Sequence, residues 1–352
     1  VEKNNGASLF MRDQELLRDD ARRAALRALV EFEKKIPYKE GLDIREMITG
    51  PIVDSVFEKG EVVSKTLKNG LKFSFRYSSK IARDFVMAHE DPPDHVWEPQ
   101  TTKLLLRLAA NAKNIVIGGA YFGDQAIMVA QKMSSDGICH CFEMAKENAA
   151  LLAENARQNG ISNLHIENVG LWSSDDARLT LGDGQDSHAS AQLDPAGKFT
   201  TTTIDAYGRR KGIESIDLIM LDIEGAEFNA LKGAENYLSQ NSENAPAIVY
   251  EVHSSYVDWS QGLQNSEIVS YLTSLGYSSF AIRDYNSNVS MGDRPIELVE
   301  IDNVYLDGPP HGFNMVAVKR PEQLDAPGIV MCRGVSPKLL FHRDPQKHAP
   351  LK

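Results

Sequence analysis

Cysteine is scarce: Cys139, Cys141 and Cys332 are the whole supply in 352 residues. Three thiols cannot form a paired disulfide framework, and neither a C-x-x-C nor a zinc spacing occurs. Reduced thiols in a cytoplasmic setting are therefore expected. Long apolar runs are missing as well. None reaches the roughly 20 residues needed to cross a bilayer, so no membrane is expected as a partner. No secretory signal opens the sequence, and it begins at Val1 rather than Met, so a trimmed or excised piece of a longer chain is expected. Basic charge is in deficit, with 38 Lys and Arg against 49 Asp and Glu and a formal net charge of −11. Nucleic-acid binding needs a basic face to replace phosphate counterions, so nucleic acid is not an expected partner. Repeats and low-complexity tracts are absent too.

What remains is an ordinary globular composition, 42% hydrophobic and 25% charged. Near the start, Leu17, Ala21, Ala24, Ala28 and Phe32 recur at helical spacing and the pattern stops at Pro37. This helix is expected to pack on the main domain or to pair subunits into a homo-oligomer. Asn69-Gly70 between two alternating runs predicts a β-hairpin. From Asn114 the rhythm changes to strand and helix in alternation. Strands are expected at 114–118, 137–143, 164–172, 216–224 and 246–253, with closing strands at 277–284 and 313–320. Buried apolar strands alternating with helices predict an α/β, doubly wound, mostly parallel sheet with a late antiparallel strand. The expected division is a helical and hairpin extension and lid over 1–100, the sheet domain over 101–320, and a surface tail over 321–352.

Three short runs carry chemistry. Gly119-Ala120-Tyr121-Phe122-Gly123 follows the first strand of the alternation, where glycine lets backbone approach a ligand. It lacks the Lys-Ser/Thr of a nucleotide phosphate loop and is not a strict G-x-G-x-x-G. The next strand ends in Phe142-Glu143, where a carboxylate can accept both hydroxyl protons of a ribose. A first-turn acid favoured by the helix dipole is the bland alternative for Glu143. Further on come Asp222-Ile223-Glu224-Gly225-Ala226-Glu227, then Glu251 and His253 at the end of the following strand. In a doubly wound sheet, ligands sit beyond the carboxyl ends of the strands, so these groups are expected to converge.

These runs resemble the FkbM-type family of S-adenosylmethionine (SAM)-dependent methyltransferases, from about Leu71 to Val318. The resemblance rests on Gly119-Ala120-x-x-Gly123, Phe142-Glu143, Asp222 to Glu227, and "IVYEVH" at 248–253. It implies a seven-stranded, Rossmann-like SAM-methyltransferase sheet with SAM as cofactor. It also implies an O-methyltransferase acting on a small molecule, a sugar or a carrier-bound natural-product intermediate. Gly119, Ala120, Tyr121, Gly123, Asp124, Glu143 and Met144 would then hold the cofactor, with Leu171 or Trp172 beside the adenine. Trp97 and Glu98, with Glu224, would line the acceptor side. His253 would serve as general base, with Asp222 and Glu251 completing the catalytic set. Alternatively Asp222, Glu251 and His253 would hold a divalent metal such as Mg²⁺ or Mn²⁺. One departure stands out: Ile117 replaces the acid that in the family orders the glycine turn, and Asp124 is the expected substitute. The alternatives are an inactive SAM-binding or scaffolding domain, on the strength of Ile117, and an N-methyltransferase.

Overall fold

The computed structural model describes residues 5–37, 39, 42–182, 191–285, 287–306 and 312–339. Helix α1 (Asn5–Lys35) is followed by a π-helical turn (Arg45–Thr49), α2 (Gly50–Val56), the strands β1 (Val62–Thr66) and β2 (Lys72–Arg76), and α3 (Lys80–Val86). The alternating part begins with α4 (Pro99–Ala109), β3 (Asn114–Gly118), α5 (Ala126–Lys132), β4 (Ile138–Phe142), α6 (Lys146–Gln158) and β5 (Leu164–Glu167). A small excursion holds β6 (Gly170–Leu171), β7 (Arg178–Leu181), β8 (Ala191–Leu193) and β9 (Phe199–Thr202), and α7 (Ile204–Lys211) leads back. Then come β10 (Leu218–Leu221), α8 (Glu227–Lys232), α9 (Glu235–Leu238), β11 (Ala247–His253), α10 (Glu267–Ser274) and β12 (Ser278–Tyr285). The last strands are β13 (Ile296–Glu300), β14 (Gly312–Val318), β15 (Ile329–Cys332) and β16 (Lys338–Leu339).

The main sheet runs β15-β13-β12-β14-β11-β10-β3-β4-β5, with β16 on β12. From β5 to β11 the pairs are parallel, and β14 enters antiparallel between β11 and β12. Those seven strands, β12 through β5, form the seven-stranded, mostly parallel, Rossmann-like sheet that the sequence implied. β3 and β10 sit at its centre and are almost wholly buried, because helices cover both faces. One apolar cluster joins β3, β4, α4 and the hairpin on one side of the sheet. A second joins β10, β11, α7 and α10 on the other.

Four expectations need correction. The tail was expected to lie over the surface, but in its described part, 321–339, β15 pairs in parallel with β13 and β16 with β12, which widens the sheet. β13 went unread because its Ile296-Glu-Leu-Val-Glu300 core is only five residues long and lies in a loop-like context. The helix expected to follow the 216–224 strand in the alternation breaks at Gly233, where an added Cβ would overlap the Trp172 carbonyl oxygen. In α1 the buried face is Leu26, Val30 and Glu33, whereas Ala21, Ala24, Ala28 and Phe32 are exposed. Periodicity alone did not pick the right stripe, because the buried stripe includes an acid. Glu33 takes the Arg45 guanidinium at 2.6 Å, and Arg45 also reaches Asp84 at 3.2 Å, so a buried ion group ties α1 to α3. Leu17's surroundings lie outside the described side chains.

The hairpin is docked on α6 by Asn155, Gln158 and Asn159, the last two bonding the Lys72 backbone. Asn155, fully buried on α6, accepts from Ser74 N and donates to the carbonyls of Ser74 and Phe122. The extension is thereby pinned to the glycine turn.

Candidate active site

The turn after β3 is built without an acid on β3. Ile117 is buried in the apolar core, between Met220 and Cys141 in the neighbouring strands. Order comes instead from β4: the amides of Gly119 and Ala120 donate to the Phe142 carbonyl at 3.0 and 3.1 Å. The Tyr121 amide donates to Glu143 Oε2 at 2.9 Å, and Ala145 N to Oε1 at 2.8 Å. Glu143 thus straddles the turn and the start of α6, where the Asn148 side chain bonds it as well. Gly119 has φ +76°, and an added Cβ would overlap the Asp222 carbonyl oxygen, so glycine is required there. Asp124 lies just beyond the turn. Burial pushes its carboxyl up to about 7, although the backbone amides of Gln125 and Asp124 itself donate to it.

After β10, the run Asp222 to Glu227 folds around its own last acid. The buried Glu227 accepts from Ile223 N at 2.7 Å and Gly225 N at 2.9 Å. That closes a loop in which Glu224 (φ +52°) and Gly225 (φ +95°) both adopt the left-handed conformation. Glu224 is thereby turned toward β11. Asp222, Glu224 and Glu251 each present a carboxylate oxygen within 4.8 Å of the others. His253 is not in this group. Its Nδ1 accepts the Ser255 amide at 3.0 Å, so its neutral ring carries the proton on Nε2 and presents an N–H rather than a lone pair. That corrects two expectations: Glu224 takes the place given to His253 among the converging ligands, and His253 is poorly set as a base. Gly312 lies opposite His253 on β14, and a Cβ there would come within 2.6 Å of Glu251 Oε1.

The fourth carboxylate comes from the other side. Glu98 immediately precedes α4 and also has a left-handed φ of +50°, yet it does not cap its own helix. Asp284 on β12 does so, accepting from Gln100 N at 3.0 Å and Thr101 N at 2.7 Å. Glu98 is left to accept from Gln125 Nε2 at 3.3 Å and to interact with Asn314, which pairs with Glu251 across β11 and β14. Burial, then the Asp284 carboxylate, pushes Glu98 up to about 7. Asp222 is held well above the ordinary range by burial, then by Glu251, Glu98 and Glu224. Glu251 is held there by burial, then by Glu224, Glu227 and Glu98. Lys338 is a cation opposing Glu98 and Glu251.

The remaining expected residues fall as follows. Trp97 is buried in the apolar core with α4 and the hairpin. Leu171 and Trp172 are buried, the latter against Ala226 with Met144 and Ile223 alongside. Met144 packs over Gly170, where a Cβ would come within 2.7 Å of its sulfur. Sequence reasoning missed Gln125, Asp284, Asn314 and Tyr256. Asn314 could have been found as the residue opposite Glu251 had the β11–β14 register been legible; Asp284 leaves no local signal.

A mostly parallel sheet with a glycine turn after β3, an acid at the end of β4 and carboxylates beyond β10 and β11 is a Rossmann-like arrangement. Residues 118–279 match the family model described as the methyltransferase FkbM domain. No curated protein matches the chain. Solved structures similar to it include a Streptococcus thermophilus rRNA methylase, at 11% identity and TM-score 0.37, covering 62% of this chain and 93% of that one. Another is the O-methyltransferase TomG from Streptomyces achromogenes, involved in tomaymycin synthesis and in complex with SAM. It is 12% identical at TM-score 0.36, covering 68% and 88%. A Bacillus cereus O-methyltransferase in complex with SAH is 14% identical at TM-score 0.34, covering 64% and 84%.

Proposed function

We propose that the protein is a SAM-dependent O-methyltransferase acting on a hydroxyl of a small molecule, a sugar or a carrier-bound intermediate. The observation that carries this reading is the convergence of Asp222, Glu224, Glu251 and Glu98 beside the glycine turn of a methyltransferase domain. The residues fit the cofactor. Glu143 keeps acceptor capacity for ribose hydroxyls, the side-chain-free Gly119 gives close backbone approach, and Asp124 and Asp222 are acids suited to a cationic amino-acid end. Met144, Leu171 and Trp172 supply an apolar flank for a purine.

SAM supplies a methyl group on a positively charged sulfur. The chain's part is to align an acceptor hydroxyl with it and to take the hydroxyl proton as the O–CH₃ bond forms and the C–S bond breaks. Asp222 and Glu251, whose carboxylate oxygens converge, suit that task better than His253, whose Nε2 already carries a proton. A metal-assisted version, with Mg²⁺ or Mn²⁺ on Asp222, Glu224 and Glu251, is favoured only by their spacing. Methylation of nitrogen uses the same alignment. The Ile117 departure gives no support to an inactive scaffold, since Phe142 and Glu143 order the turn.

The test is calorimetry with S-adenosylhomocysteine (SAH), followed by methyl transfer from labelled SAM to a panel of hydroxylated acceptors. SAH should bind, and Glu143→Ala should weaken it by about 1.5–3 kcal/mol, the range of a charge-assisted hydrogen bond. Wild-type protein that fails to bind SAH would end the proposal. Activity that survives EDTA would remove the metal-assisted version.

A further inference from the structure

Carboxylates drawn together need something to hold them. Asp222, Glu224 and Glu251 bring their oxygens within 4.8 Å of one another, and like charges that close repel. Glu251 lies within β11, and the Asp222 amide donates to the Gly118 carbonyl at 3.2 Å, so the sheet fixes both backbones. Glu224 lies in the loop beyond. The Glu227 carboxylate holds the amides on either side of it, Ile223 N and Gly225 N. Those two bonds set the backbone at 224 and leave the direction of its side chain to other contacts.

One such contact comes from the loop after β11. The Tyr256 hydroxyl donates to the Glu224 carboxylate, and its ring lies on Gly225, where an added Cβ would come within 2.7 Å of it. Burial, then the Glu224, Glu251 and Glu227 carboxylates, push that hydroxyl up to about 12, so it keeps its proton and remains a donor at neutral pH. Tyr256 is in place because the chain turns tightly where β11 ends. The amides of Tyr256 and Val257 both donate to the His253 carbonyl at 2.9 Å, and the His253 and Tyr256 rings lie 5.4 Å apart. Farther along, Trp259 packs on Phe313 of β14 with ring centroids 5.7 Å apart, which anchors the other end of the loop.

We propose that Tyr256 is a positioning residue for methyl transfer: its hydroxyl holds the Glu224 carboxylate toward Asp222 and Glu251, so that the three face the acceptor as one set. Tyr256 acts through Glu224. With the donor gone, repulsion from Asp222 and Glu251 turns Glu224 away. The inference rests on the methyltransferase reading for its function, though not for its geometry.

The experiment compares the full chain with Tyr256→Phe, Glu224→Gln and the double variant. Crystal structures locate Glu224, calorimetry measures SAH affinity, and labelled SAM measures methyl transfer to the hydroxylated panel. Tyr256→Phe keeps the ring on Gly225 and removes only the donor, so Glu224 should leave the other two acids. Turnover should fall about 10- to 100-fold, the scale of one hydrogen bond to a charged group. Glu224→Gln should cause a similar loss and the double variant no further loss, because both changes break the same contact. SAH affinity should stay within about twofold throughout. A Glu224 carboxylate that keeps its place in Tyr256→Phe overturns the proposal, as do losses that multiply in the double variant. A wild type that binds no SAH, or methylates no acceptor, overturns the methyltransferase reading instead, and the crystal structures still decide whether Tyr256 holds Glu224.

Discussion

Replacing Glu98 by glutamine is expected to make the protein more stable above neutral pH, although it removes a hydrogen-bonded side chain. Glu98 is 9% exposed, and its carboxyl is raised from the ordinary 4.5 to about 7, first by burial and then by Asp284. The sign follows from proton binding. The folded protein holds this proton more tightly than the unfolded chain, so the associated stability is full below about pH 4.5 and is lost as pH rises through about 7. A shift of that size corresponds to about 3 kcal/mol. Glutamine cannot ionise, so Glu98→Gln escapes the loss. Allowing about 1 kcal/mol for altered hydrogen bonds to Gln125 and Asn314, the variant should gain roughly 2 kcal/mol over wild type near pH 8. Near pH 4.5 it should show no gain. Urea unfolding followed by circular dichroism across that range measures the difference directly. Parallel stability–pH curves for the two proteins would refute the argument, and with it the placement of Glu98 in the acid group.

Three further outcomes are expected. Glu227→Ala strands the amides of Ile223 and Gly225, so it should cost about 2–4 kcal/mol in urea unfolding; a loss under about 0.5 would show that the loop does not depend on it. Asp284→Ala removes both caps from the start of α4 and should cost about 1–2 kcal/mol, again by urea unfolding, because Glu98 cannot replace it. Gly119→Ala forces a Cβ onto the Asp222 carbonyl at a left-handed φ and should weaken SAH about tenfold or more by calorimetry while the rest of the sheet still folds.

Much of the site was legible as text because its residues sit at strand ends, where apolar runs stop and polar residues start. Glu143, Asp222 and Glu251 all follow from that rule and from the alternation of strands and helices. The roles within the run Asp222 to Glu227 were not legible. Glu224 was expected on the acceptor side and Glu227 had no role of its own, yet Glu227 folds inward to hold the loop and Glu224 is turned toward β11 by a backbone angle. His253 misled for a related reason, since only the turn at Ser255 shows which ring nitrogen is already occupied.

Local order therefore determined the hairpin, the alternation and the three motif runs, because periodicity, turn chemistry and glycine are properties of neighbours along the chain. Only the tertiary structure decided which distant groups share a space. Asp284 caps a helix more than 180 residues before it, Asn314 stands beside Glu251 through an antiparallel insertion, and Glu98 joins acids on β10 and β11. The raised carboxyl groups belong to this second kind. Their charges are costly because burial and neighbouring acids act together, and both arise only when the sheet brings its strand ends to one side.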